Sequence, residues 1–256
     1  MHPSRQACPS LLILVPGLLL VASSAALAGP SGDEIIAEMD RRMTLADDQF
    51  FEYEMVTEVP GEGKRSVLLT AQIKGDSWRR LEFLSPGDVK GMRVLILSLE
   101  KMYVYLPAYR KIRRVASHVR DQGFMGSAHS QDDMSIVTFS PYLKPRLLSE
   151  DAAAWTVEGT LREGLSFPYA KVVLTIDKKM YQPLKLLYFN DRGQHVKTEE
   201  RVDWVCKDGN ICAPGSMTLV DHRRNDVATI LRPRKWKYNQ GVSDRFFTVR
   251  NLQRRR

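Results

Sequence analysis

The chain has 256 residues, 43% hydrophobic and 27% charged, with a formal net charge of +8 and three cysteines. That apolar content can bury a real core, and the length fits one or two domains. The positive balance draws a protein toward anionic membrane surfaces or acidic polymers and says nothing about fold.

Residues 1–28 combine Arg5 in a short polar lead, an apolar run from Leu11 to Ala22 and the small-residue site Ala26-Leu27-Ala28. That is the pattern of a cleaved signal peptide. A retained membrane anchor is the weaker reading, because the run is short of the roughly 20 residues a spanning helix needs and holds Pro16-Gly17. Cys8 precedes the apolar run, so it is not the acylated cysteine of a lipoprotein. Cleavage discards one charged residue, Arg5, and directs the mature chain to the periplasm, where nucleic acid is not an expected partner.

The mature chain opens with "SGDEIIAEMDRRM". Ser31 and Glu34 form a capping-box pattern, and Ile35, Ile36, Met39 and Met43 follow at helical spacing. From Phe50 the period becomes two. Strands are predicted at 50–59, 65–73, 78–84, 92–99, 101–107, 136–139, 153–161, 170–177, 184–190, 195–206, 217–223 and 227–239. Turn signals such as Asp191-Arg192-Gly193 and Asn225-Asp226 come at hairpin spacing, and no strand-helix-strand alternation appears. The expected fold is mainly β: a curved antiparallel sheet, an incomplete barrel, covered by helical lid segments. Residues 116–134 and "SPYLKPRLLSED" (140–151) interrupt the meander and, with the first helix, are the material for such a lid.

Cys206 and Cys212 flank Asp208-Gly209-Asn210, a tight-turn signal, and should face each other across a hairpin. In an oxidising compartment this reads as a disulfide; free thiols are the alternative, and no further ligands complete a zinc site.

Three motifs suggest chemistry. "PGEGKRS" lacks the spacing of a phosphate loop, with Glu58 where a glycine is required and Arg65 after Lys64, and reads as a turn. "GFMGSAHSQDD" contains Ser127, His129, Ser130, Asp132 and Asp133, the residue types of a nucleophilic triad, but not the strand-turn-helix context. Caps in a polar loop are the main reading, with ligand-site shaping and catalysis behind it. His118, His195 and His222 are scattered, and no metal is expected. "YRKIRRVA" sets Arg110, Lys111, Arg113 and Arg114 beside Tyr103, Tyr105 and Tyr109. A solvated strand face is the main reading, an anion site for a lipid headgroup, an acidic protein or a membrane surface comes second, and a nucleic-acid surface last, because the export signal removes its context. In "MRVLILSLEKMYVYLP" both strand faces are apolar, so one face needs a second layer or a ligand; an ordinary two-sided core and a cavity are equally compatible.

"FLSPGDVKGMRVLI", "MYVYLPAYRKIRRVA" and "FMGSAHSQDDM", continued by "PLKLLYFNDRGQHVKTEERVDW", "APGSMTLVDHR" and "DRFFTVRNL", resemble the outer-membrane lipoprotein-sorting family of LolA-like proteins over about Asp33 to Leu252. Ala128-His129 replaces an Asp-aromatic pair usual in the matching branch, and the Cys206 and Cys212 pair is an addition. The resemblance implies one LolA-like lipid/lipoprotein-carrier domain over residues 29–256, with an apolar cavity that carries acyl chains of lipids or lipoproteins without catalysis or cofactor. Cavity candidates are Met92, Tyr103, Tyr105, Phe124 and Met125; headgroup or partner contacts are Arg110, Lys111, Arg113 and Arg114. An adaptable lining also suits Met39, Met43, Met102 and Met134, although plain core is the main reading of each. Implied partners are an inner-membrane exporter of the resistance-nodulation-division type and an outer-membrane acceptor, with the carrier itself a monomer. A periplasmic envelope-stress sensor on the same fold, and an envelope hydrolase using Ser127 and His129, are the alternatives.

Overall fold

The computed structural model describes residues 29–116 and 120–254, so the signal-peptide reading of residues 1–28 falls outside them. Helix α1 (Gly32–Met43) begins as its sequence dictates: the Ser31 hydroxyl accepts from Glu34 N and the Glu34 carboxylate accepts from Ser31 N. Twelve residues are marginal as an isolated helix, so tertiary burial holds this one. Ile35, Ile36 and Met39 are fully buried, each stabilising by about 1.5–3 kcal/mol.

Strands β1 (Asp48–Val59), β2 (Gly63–Lys74), β3 (Trp78–Ser85), β4 (Arg93–Ser98), β5 (Lys101–Leu106) and β6 (Lys111–Arg114) meander from the middle of the sheet to one edge. The chain then crosses to the opposite edge and returns through β7 (Leu143–Glu150), β8 (Ala154–Leu161), β9 (Lys171–Asp177), β10 (Pro183–Phe189), β11 (His195–Val202), β14 (Ser216–Asp221) and β15 (Val227–Tyr238). Strand β15 pairs with β1 along its length. Among the described residues these make one antiparallel sheet of thirteen strands, not closed into a barrel, with β6 and β7 at its edges. The expected single meander is therefore two meanders joined at β1 and β15 by a non-local pairing.

A small hairpin, β12 (Val205–Lys207) and β13 (Ile211–Ala213), stands apart from the sheet. Cys206 and Cys212 pair in register there and form a disulfide, with Asp208 and Gly209 at positive φ in the turn. The strand predicted over 195–206 is broken at Asp203, which takes a left-handed φ of 56°.

Two further predictions differ. "SPYLKPRLLSED" supplies edge strand β7, not a covering helix. Leu143 and Leu147 alternate with Lys144 and Arg146, and Pro145 fits because an edge strand leaves one side unpaired. Residues 136–139, predicted as a strand, belong to the crossing segment, where Ile136 O and Phe139 N bond to side chains and Ile136 N and Phe139 O make turn bonds, not ladder bonds to a neighbouring strand.

In the crossing segment between β6 and β7, residues 120–142 lie over the inner face of the sheet with α1 beside them. Its short helix α2 (Gln131–Ser135) starts with a second capping box, Ser130 with Asp133. One inner cluster gathers α1 residues with Phe139, Leu143, Trp155, Leu174 and Leu186; the other gathers Phe51, Met55, Leu69, Phe83, Ile96 and Phe124. On the outer face, Leu95, Tyr103 and Tyr105 pack under the C-terminal tail, where Phe247 and Leu252 of helix α3 (Val249–Leu252) and the turn before it cover them. The double-faced apolar pattern of β4 and β5 is thus a two-sided core, whose second layer is the chain's own C-terminus.

Asp40 joins helix to crossing segment. It is 5% exposed, and its carboxylate accepts from Phe139 N at 2.9 Å and Ser140 N at 2.7 Å. Burial pushes its carboxyl up, against those bonds. Asp40→Ala leaves the buried Phe139 amide and the half-buried Ser140 amide without this acceptor and is expected to destabilise by about 2–4 kcal/mol, with Asp40→Asn intermediate; urea unfolding at neutral pH measures it.

Candidate functional site

Between the inner face and the crossing segment lies a cavity of about 240 Å³. Strand alternation sets its wall. Phe51, Tyr53 and Met55 of β1 point inward beside Leu69 and Ala71 of β2 and Leu81 and Phe83 of β3. Phe51 stacks on Tyr53 with ring centroids 4.9 Å apart. Phe124, Met134 and Ile136 of the crossing segment form the opposite wall, and Ala213 and Pro214 at the disulfide hairpin close one side.

Part of the remaining lining is charged: Arg79, Asp133, Glu199 and Arg201. β11 turns Lys197, Glu199 and Arg201 inward, the opposite parity to Val202 at its exposed end. Lys197 is fully buried; its ammonium donates to Ala128 O at 2.9 Å and to Asp133 of the crossing segment, with Asp221 of β14 at 3.7 Å. Asp133 also accepts from the Tyr169 hydroxyl and from Ser130 N. Burial would raise the Asp133 carboxyl, but the Lys197 charge and these bonds hold it below the usual carboxylate range. Glu199 accepts from Tyr188 at 2.8 Å and from Arg201 at 2.7 Å. Burial opposes its charge too, and Arg201 keeps it low; burial and the Glu199 charge push the Tyr188 hydroxyl well up.

Arg79 of β3 shares the inward parity of Leu81 and Phe83. It donates to Met134 O at 2.5 Å and Ile136 O at 2.7 Å, and burial lowers it to about 10. Arg224 adds bonds to Ser127 O and Gly126 O, and its guanidinium presses on Gly123 where no side chain fits. Thr229 accepts from Ala128 N at 2.9 Å. An irregular segment over an apolar face must find partners for its main-chain groups, and side chains of the sheet and α1 supply them.

Of the expected cavity residues, Phe124 lines it. Met92 and Met125 pack in the cluster beneath without reaching it, while Tyr103 and Tyr105 are on the outer face. Parity decides this: Val104 shares a face with the inner cluster, so its neighbours Tyr103 and Tyr105 cannot. Arg110, Lys111, Arg113 and Arg114 are exposed at the β5–β6 turn and along edge strand β6, and do not line the cavity. The expected basic rim is a sheet edge.

Ser127, His129 and Asp133 do line it, but not in the bonding order of a triad. The Ser127 hydroxyl donates to the His129 main-chain oxygen, and Asp133 is engaged by Lys197. Burial lowers His129 and favours its neutral form. His195 and His222, read as scattered, meet with ring centroids 4.6 Å apart and share the Thr198 hydroxyl; His118 lies outside the described residues. Among the described residues no group of three or more His, Cys, Asp or Glu is placed to hold a metal ion.

A family profile described as "Uncharacterized protein" matches residues 75–254. The chain belongs to that family. Comparison with curated proteins returns no match. Among solved structures, the chain resembles a domain described as an outer membrane lipoprotein-sorting protein from Vibrio parahaemolyticus, at 22% identity and TM-score 0.78, over 87% of this chain and 98% of that one. A DUF1329 family protein from Desulfovibrio piger follows at 23% and 0.79, over 86% and 97%. A LolA superfamily protein from Nitrosomonas europaea matches at 17% and 0.71, over 86% and 98%. The family member described here therefore has the LolA-like fold, as its sequence resemblance implied.

Because Lys197 neutralises Asp133 in a buried setting, Lys197→Met is expected to cost about 3–5 kcal/mol at pH 7. The wild-type pair contributes fully above about pH 5 and loses its contribution as pH falls through the lowered Asp133 value. Without Lys197, buried Asp133 favours protonation, so the variant's deficit should shrink between about pH 7 and pH 4. Urea midpoints at both values check the sign.

Proposed function

We propose that the protein is a periplasmic carrier that takes acyl chains of lipids or lipoproteins into the inner cavity and moves them between membrane partners without covalent chemistry. The carrier unit is the mature chain from residue 29, exported by the signal of residues 1–28. The observation that carries this reading is the apolar cavity between sheet and crossing segment. Each methylene moved from water into it stabilises the complex by about 0.8 kcal/mol, so part of one chain suffices for useful affinity. The LolA-like fold supports the same reading, as do the four methionines in the lining, Met43, Met55, Met134 and Met217, which repack around varied shapes.

A carrier must open. The crossing segment is held at discrete polar points, and a ligand can displace it by exchanging those bonds without unfolding the sheet. Arg110, Lys111, Arg113 and Arg114 on the exposed edge provide a cationic strip for an anionic membrane surface or an acidic partner during loading or delivery.

Delipidated protein is expected to take up a fluorescent fatty acid, and Ala71→Phe, which puts a ring in the cavity, to lower that affinity by about tenfold or more with the circular dichroism unchanged. Failure of any uptake overturns the carrier reading. Replacing the four basic residues of the edge with Gln should abolish salt-sensitive binding to anionic vesicles and leave acyl uptake intact, as vesicle flotation would measure.

A further inference from the structure

The two walls of the cavity differ in what they leave unsatisfied. On the polar side, Arg79 Nε, His129 Nε2, Gln182 Nε2 and Trp204 Nε1 are buried and meet no hydrogen-bond partner among the described residues. All four residues line the cavity, and Gln182 is 1% exposed. The nitrogens of Arg79, Gln182 and Trp204 are donors only, and neutral His129 carries one N–H on its ring. A buried donor left unpaired is costly, so the wall favours a ligand that brings acceptors.

Its own acceptors are already used. Glu199 is held by Arg201 and Tyr188, and Asp133 by Lys197, Tyr169 and Ser130. Among the charged residues that line the cavity or pair with those that do, the cations Arg79, Lys197 and Arg201 face the carboxylates Asp133 and Glu199. One positive charge is in excess. Arg79 is its seat, since its guanidinium bonds two main-chain carbonyls and pairs with no carboxylate among the described residues.

We propose that this wall binds the carboxylate of a single-chain fatty acid, inserted head first with its chain along Phe51, Leu69 and Phe83. This rests on the carrier reading and narrows its cargo to free fatty acids in preference to esterified lipids. One excess charge matches a monoanion, and a planar carboxylate suits a guanidinium edge. A phosphodiester head has the same charge but carries two substituents, and the cavity, at about 240 Å³, is smaller than the roughly 300 Å³ at which ordinary ligand pockets begin.

The test compares direct binding of radiolabelled hexadecanoic acid, hexadecanol and methyl hexadecanoate to the delipidated mature protein at neutral pH. The acid should bind about tenfold or more tightly than either neutral analogue, the scale of one charge-assisted hydrogen bond. In Arg79→Gln that ratio should fall toward one, Arg79→Lys should retain part of it, and Gln182→Leu should reduce it. Gln182→Leu leaves the bonds from Arg79 to the crossing segment intact, so it remains informative where Arg79→Gln does not fold. Equal binding of acid, alcohol and ester, as expected where water satisfies the donors, overturns the carboxylate site and leaves the carrier reading standing. Binding of none of the three overturns both.

Discussion

An irregular segment laid across the apolar face of a β-sheet cannot leave its amides and carbonyls bare, and most of the inner architecture follows from that constraint. The chain between β6 and β7 links the two edges of an open sheet, and its residues 120–142 pass over the face that the strands have made apolar. Some partners lie within the segment, as in the Ser130–Asp133 capping box, and the others come from outside it: Asp40 from α1, Arg79 from β3, Lys197 from β11, Thr229 from β15 and Arg224 just before it. Charged residues sit inside this protein because a strand ladder is not available there.

That solution divides the space under the crossing segment. Where side chains of the segment itself are apolar, as at Phe124 and Met134, contact with the sheet is non-directional and repacks readily. Where charges tie main chain to sheet, contact is specific and limited to a few points. A cavity at the boundary has one greasy wall and one donor-rich wall, a combination suited to an amphiphile. The C-terminal tail takes no part in it; it covers Leu95, Tyr103 and Tyr105 on the outer face, while the cavity opens on the inner one.

Legibility in the sequence followed locality. The capping boxes at Ser31 and Ser130, the Cys206–Cys212 hairpin and most strands depend on neighbours within a few residues and were readable. Residues 136–139 look like a strand by composition, but their partners are Arg79 and Asp40, far away in the chain. In "HVKTEERV" the exposed Val202 suggests that its parity faces inward, whereas tertiary pairing with Asp133 and Asp221 turns Lys197, Glu199 and Arg201 to the core. One signal was available for Arg79: it shares the parity of Leu81 and Phe83, which places it inside.

By itself the sequence determined an antiparallel β chain with an N-terminal helix, a stapled hairpin and a recognisable LolA-like pattern, because alternation, caps and turns are written in short-range residue order. Only the tertiary structure decided that β1 pairs with β15, that "SPYLKPRLLSED" is an edge strand, and that the aromatic strand beside the basic knot faces away from the cavity. Those outcomes depend on which distant surfaces bury each other, and strand periodicity specifies two faces without saying which is inside.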